Sequence, residues 1–338
     1  MSARIAHVRN VNGALDALMT CCLSEWPHGD ANSNWRINSP RGMETIEWRG
    51  VYVTEYGNPC ERVLFSAARD ANPFFHFFEA LWILDGRQDV EFLAQFNNRM
   101  RDYSDDGIRF HAAYGHRLRK SNIGDQLIKG IELLNADNAT RQVVLTIWDP
   151  RQDLGAVTRD LPCNDLLFFK VHEGRLDMTV ACRSNDAIWG AYGANAVQFS
   201  TIQEFVAAAI GVEVGVYVQV SDSFHIYTAN DAYQRLLKTP FSADLYMHSL
   251  ARPYPLVSGT PWRDWLRQLE IFLEEPHTID AAYDRYFTHV AAPIWAAWNS
   301  YKRRNYDVAL SELRECVAED WAIACTQWIE RRLQRSAT

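Results

Sequence analysis

Residues 161–186, LPCNDLLFFKVHEGRLDMTVACRSND, bring together two kinds of chemistry. A thiol, Cys163, follows a proline, and a mixed polar group, Arg183-Ser184-Asn185-Asp186, closes the stretch. Two strand-like runs, 166–171 and 176–182, lie between them around the turn His172-Glu173-Gly174, which is the pattern of a hairpin. A hairpin returns the chain to its start, so the thiol and the guanidinium fall at the same sheet end. A nearby cation lowers a thiol's pKa and favours the thiolate, the nucleophilic form. A phosphorylated substrate held by the same arginine could present its ring to the sulfur. A lone cysteine is more often a small buried hydrophobe, so the argument rests on the ordered company that Cys163 keeps.

Other candidates stand in elements that would position them. Residues 73–84, PFFHFFEALWIL, are apolar nearly all round and predict a buried helix carrying Glu79. A buried carboxylate needs a partner, a raised pKa or a task; pairing with an arginine is the plain alternative. Two glycines in 189–196 predict a turn before a helix over 196–210, with Asn195 at its start, the usual place of a cap. Residues 214–220 predict a strand leading to His225 and Tyr227, where a structural histidine is the ordinary reading. Arg141 opens a strand over 143–148, and helices are expected over 12–23, 90–97 and 125–134. Residues 26–49, rich in Asn, Gly, Pro and Ser, predict a loop that carries Arg41; 46–56 predict one strand. Residues 278–334 predict mainly helices.

Segment 161–186 resembles the active-site segment of thymidylate synthases and their relatives, the pyrimidine-nucleotide hydroxymethylases. That family carries Pro-Cys, a strand hairpin of this length and Arg-Ser-x-Asp, matched here without a gap by Pro162-Cys163 and Arg183-Ser184-Asn185-Asp186. The resemblance runs from about residue 41 to 227 and is most specific from 141 to 227. It implies Cys163, Glu79 and Asp186 as catalytic groups; the family's Glu-x-x-Trp-x-Leu is met by Glu79, Trp82 and Leu84, and its Glu organises water and moves protons at the pyrimidine. It implies Arg41, Arg141, Arg183 and Ser184 on the nucleotide, Asn195 on the pyrimidine edge, and His225 and Tyr227 on the sugar hydroxyl. Asp186, Tyr103 and Tyr114 are implied at the folate site. Arg141 would cross a dimer interface to the partner's phosphate, with Gln142 where the family has a second arginine. Alignment to Asn195 needs one extra residue in the glycine turn. Two departures stand out. Asn164 follows the cysteine where thymidylate synthases carry His, and the chain ends Gln-Arg-Ser-Ala-Thr in place of a short apolar tail whose carboxylate closes the folate site.

The implied fold is α/β (α+β), a thymidylate-synthase-like large twisted mixed or antiparallel sheet flanked by helices. Residues 1–240 would form the catalytic domain, and 241–338 a mainly helical extension packed on it. The implied activity is folate-dependent one-carbon transfer to C5 of a pyrimidine deoxynucleoside monophosphate, with 5,10-methylenetetrahydrofolate as cofactor. Thiolate addition at C6 makes C5 nucleophilic; water then gives hydroxymethyl, hydride gives methyl. The absent apolar tail points to a wetter site and so to water, hence hydroxymethylation of dUMP or dCMP. An Asn can donate to O4 and accept from N3–H, which suits uracil; flipped, it suits cytosine. The alternatives are C5 methylation, a non-catalytic nucleotide- or RNA-binding relative, and an unrelated cysteine hydrolase with a histidine base.

The 338 residues, 48% hydrophobic and 22% charged, are ordinary for a globular enzyme of one large or two smaller domains. A net charge of -8 argues against a stable nucleic-acid partner, so a nucleotide must be captured by a local arginine cluster. Seven cysteines (21, 22, 60, 163, 182, 316 and 325) show no CxxC pair and no metal-ligand spacing. They predict free thiols, a cytoplasmic location (the host's, if phage-encoded) and no metal. No apolar run reaches the ~20 residues of a membrane span. The expected partners are the nucleotide and a second copy of the chain.

Overall fold

The computed structural model describes residues 4–24, 34–39, 42–48, 50–239, 241, 243–276 and 278–337. Among these, eight strands form one sheet: β1 (Arg4–Val8), β2 (Asn34–Asn38), β3 (Glu44–Trp48), β4 (Tyr52–Tyr56), β5 (Val144–Thr146), β6 (Asn164–His172), β7 (Arg175–Asp186) and β8 (Glu213–Tyr227). Their order is β1-β4-β8-β7-β6-β5, with β3 also on β8 and β2 on β3. β1–β4 and β7–β8 are parallel and the remaining pairs antiparallel, so the sheet is mixed as expected.

The β6–β7 hairpin closes on Glu173 and Gly174, both at positive φ (50° and 74°), the backbone of a two-residue turn that matches strand twist. Residues 26–49 depart from the loop expectation, because β2 and β3 form a hairpin there. The single strand expected over 46–56 is two, β3 and β4, separated by a turn in which Gly50 has φ +75°. Both lie on the same edge of β8, whose fifteen residues pair β4 along one half and β3 along the other. Long-range pairing to β8 overrides the turn-prone composition.

Alternation sorts the two sheet faces. Leu176, Met178, Val180 and Cys182 of β7 and Tyr217, Gln219 and Ser221 of β8 are buried. Asp177, Thr179, Ala181, Val216, Val218 and Val220 on the other face are half-exposed. The helix Asn195–Ile210, which connects β7 to β8, lies on the buried face; Gln203 Nε2 donates to Leu176 O (2.8 Å) and Val216 O (3.0 Å).

The helix Pro73–Leu84 starts with Pro at its first position and Asn72 as cap, and all twelve residues are buried. It packs between the Asn195–Ile210 helix and the C-terminal helices. Phe74 meets Trp298 and Trp328 (5.2 and 5.7 Å between rings), and Phe77 meets Trp321 (5.1 Å). Cover on all sides explains a helix without a polar stripe. No helix of the described residues is long and apolar enough to cross a membrane.

Candidate active site

Cys163 sits immediately before β6 and is half-buried. Arg183, on β7, holds this segment by three bonds. Its backbone N–H donates to Cys163 O (3.0 Å), its Nε to Pro162 O (2.7 Å) and its Nη2 to Leu161 O (3.3 Å). Its guanidinium also lies over the Trp148 ring at 5.5 Å. The hairpin thus brings thiol and cation to one sheet end, as the sequence predicts, and the arginine grips the backbone leading to the thiol.

Asp186 ends β7 and is paired in register with His225. Its Oδ1 accepts from the backbone N–H groups of Ile188 (2.8 Å) and Trp189 (3.2 Å). Burial raises its pKa, against the opposing fields of His225 and Arg69. Residues Ala187–Ala194 form a π-helical turn. The turn is kinked at Tyr192 and Gly193, whose φ/ψ are not helical. Arg69 locks the same turn from outside: its Nε donates to Ile188 O (2.8 Å) and its guanidinium lies 5.7 Å from the Trp189 ring centroid.

Asn195 is the first residue of its helix, with αR backbone, and does not cap it. Its Nδ2 donates instead to Asn185 Oδ1 (3.1 Å), and Asn185 Nδ2 donates to Ser221 Oγ (3.0 Å). Gly190 permits the contact: a Cβ there would stand 2.9 Å from Asn185 Oδ1.

Glu79 projects from the middle of its helix and is fully enclosed. Burial pushes its pKa up to about 8, with hydrogen bonding from Gln198 working the other way. Its Oε2 has no partner among the described residues. The arginine pairing considered for Glu79 is not what these residues form. One turn earlier, burial and the field of Arg69 press His76 down to about 3, so it is neutral.

Tyr114 links these groups. Its helix, Tyr114–Arg119, comes so close to the Pro73–Leu84 helix that a Cβ on Gly115 would lie 2.0 Å from Ile83 O. The Tyr114 ring stacks on Phe199 (6.0 Å), and its hydroxyl faces the side chain of Asn164, the neighbour of Cys163, whose Nδ2 has no hydrogen-bond partner among the described residues. His225 is buried edge-on to Tyr227 (5.2 Å between rings), with Nδ1 near Ser223 O and Oγ (3.3 and 3.4 Å). Ser184 is half-buried beside Ser223 in register. Tyr103 is half-buried against the core, at the end of a short 3₁₀ turn. Arg141 is exposed just ahead of edge strand β5. Arg41 lies outside the described residues.

Sequence reasoning missed Arg69, His76, Asn185 and Gln198. Gln198 had a signal, an amide set between Val197 and Phe199 one turn after Asn195; Arg69 had none, since a loop arginine ordinarily faces water.

The sequence profile described as thymidylate synthase matches residues 65–249. The chain is 47% identical over 343 residues to the deoxyuridylate hydroxymethyltransferase of Pseudomonas phage M6, covering 97% of this chain and 94% of that one. The chain belongs to the thymidylate synthase family. It is also 47% identical over 202 residues to the deoxyuridylate hydroxymethyltransferase of Bacillus phage SP01 (56% of this chain, 52% of that one). In fold it resembles the thymidylate synthase of T4 phage, with a TM-score of 0.54 at 19% identity over 76% of this chain and 91% of that one. The family therefore accounts for the mixed sheet and the hairpin carrying Cys163. Among the described residues no group of three or more His, Cys, Asp or Glu could hold a metal.

Proposed function

We propose that the protein is a folate-dependent hydroxymethylase of dUMP, acting through a covalent bond between Cys163 and C6 of the pyrimidine. The observation that carries this is Cys163, held at the sheet end by Arg183, in a chain similar along nearly its whole length to a deoxyuridylate hydroxymethyltransferase.

The residues divide the work. Cys163 adds to C6, and C5 gains the electron density it lacks in the free ring. Asn195 reads the pyrimidine edge. Uracil and cytosine need opposite orientations of that amide; because Asn185 donates to Ser221, its Oδ1 is left to accept from Asn195 Nδ2, and the amide is held one way. Likeness to enzymes named for deoxyuridylate supports uracil. His225 and Tyr227 would meet the sugar, and Arg183, Ser184 and Arg41 the phosphate.

Asp186 and Trp189 fit a folate. Asp186 Oδ2 makes no hydrogen bond to the described residues, which suits the N–H donors of a pterin ring, and Trp189 is 40% exposed beside it as a flat apolar wall. Tyr103 and Tyr114 would complete that side. Bound methylenetetrahydrofolate supplies the one-carbon unit. Glu79, with its raised pKa and open oxygen, is the group suited to accept a proton from water.

A homodimer fits the same reading. The half-exposed face of the sheet carries Val216, Val218, Val220 and Ala181, and Arg141 stands exposed at its edge where a partner's phosphate site would lie. Residues 1–240 would then be the catalytic unit, with 241–338 as a helical buttress, working in the cytoplasm.

The deciding experiment uses [5-³H]dUMP and [5-³H]dCMP with methylenetetrahydrofolate. Tritium release from dUMP with a product about 30 mass units heavier, and no dihydrofolate, is expected. A gain of about 14 mass units with one dihydrofolate per product would overturn hydroxymethylation while leaving the family intact.

A further inference from the structure

Gln198 lies on the Asn195–Ile210 helix, and only 5% of it is exposed. It stands three residues after Asn195, one turn along the same helix face. Its neighbour Phe199 stacks on Tyr114, which reaches Asn164 beside the thiol. Across the helix interface its amide faces Glu79, itself 7% exposed, and favours the charged carboxylate.

Both groups keep an oxygen that has no partner among the described residues, Oε2 of Glu79 and Oε1 of Gln198. Buried acceptors are almost always matched by a donor. The two side chains face each other, and the amide of Asn195, one turn along, is committed to Asn185. A molecule with two hydrogens and its own lone pairs fits between them, and water is that molecule.

We propose that Gln198 and Glu79 jointly hold the water that becomes the hydroxyl of the product, Glu79 taking its proton and Gln198 fixing its direction. The inference rests on the hydroxymethylase reading above. With both hydrogens engaged, the water's lone pairs point away from the two side chains and toward the base read by Asn195. The oxygen bonds to the exocyclic methylene on C5. The methylene double-bond pair moves into the ring, C5=C6 re-forms, and the C6–S bond breaks with Cys163 leaving as thiolate. One water proton passes to Glu79. No oxidant or reductant enters.

The test separates the step that precedes water from the step that uses it. In Gln198→Met the shape is kept and the acceptor lost. In a single turnover, with enzyme in excess over [5-³H]dUMP, the rate of tritium release is expected to stay within about threefold of wild type, while hydroxymethyl product forms on the order of 10²-fold more slowly. The nucleotide adduct on Cys163 then accumulates and is visible by intact mass. Gln198→Glu keeps an acceptor oxygen and is expected to retain nearly one product per tritium released; it carries the test if the Met variant fails to bind dUMP. Release and product falling together in Gln198→Met, or staying coupled one-for-one, would refute the role of Gln198, as would uncoupling in Gln198→Glu. A wild-type enzyme that itself yields the methyl product and dihydrofolate would instead sink the underlying reading.

Discussion

Glu79 and Asp320 are both buried carboxyls, and burial raises both, to about 8 and about 7. Their surroundings differ in one respect. Asp320, at the start of the Glu319–Ala337 helix, has both oxygens engaged: Oδ2 accepts from Tyr246 Oη (2.9 Å) and Oδ1 from Trp321 N (2.8 Å). Tyr246 Oη in turn accepts from Val63 N (3.2 Å), and Arg62, paired with Glu204, adds an attractive field. The knot ties a C-terminal helix to the catalytic half and is closed. Glu79 has one amide neighbour and an open oxygen. A shifted pKa therefore marks burial in both places, whereas the unmet hydrogen-bonding capacity marks the place where something else must bind.

The comparison is broken most severely by removing what the open site serves. Cys163→Ala should lower turnover by at least about 10⁴-fold, leaving the dUMP dissociation constant within a few fold, as titration calorimetry would read. Turnover near the wild-type rate would end the covalent mechanism.

Next in size, Glu79→Gln should slow hydroxymethyl formation on the order of 10²- to 10³-fold without loss of thermal stability. An active Gln variant would show that the open oxygen does no chemistry.

Asp320→Ala should do the reverse. Tyr246 Oη and Trp321 N lose their acceptor, at a cost of about 2–4 kcal/mol in denaturant unfolding, while the turnover of the folded fraction stays close to wild type. An unaltered unfolding midpoint would show that the knot is incidental.

The smallest effect, taken per pH unit, comes from titration. Glu79 is raised from 4.5 to about 8, so the folded state holds this proton more tightly than the unfolded chain. Its contribution favours folding below pH 4.5 and is lost as pH rises toward 8. Stability of the wild type relative to Glu79→Gln should thus fall by about 1 kcal/mol per pH unit inside that window; parallel curves would contradict a buried, titrating Glu79.

What was legible in the sequence was local. Pro162-Cys163 and Arg183 are brought together by one hairpin whose turn and alternation are written in consecutive residues. The amphipathic or wholly apolar helices were legible for the same reason. β2 and the start of β3 were missed because β3 is fixed by β8, almost two hundred residues away, and β2 pairs only with β3, in a stretch whose composition reads as loop. Arg69 was missed because the turn it binds, at Ile188, lies 119 positions downstream. The glycine turn lies between: its two glycines announced a turn, but not its kink.

Asp70 follows Arg69, has φ +50°, and receives Arg331 (3.1 Å), Arg332 (3.1 Å) and Arg335 (3.0 Å) from the Glu319–Ala337 helix. Its first partner in the chain is 261 positions downstream. During synthesis, the hairpin with its thiol, Asn195 and Glu79 all emerge long before the residues of the Glu319–Ala337 helix that hold Asp70. A nascent chain can therefore assemble the nucleotide half of the site early, whereas the segment bracing the glycine turn waits for one of the longest loop closures in the fold. Local pairing sets the order in which the site is built, and its finishing step belongs to the helix whose own sequence carries none of the family's motifs.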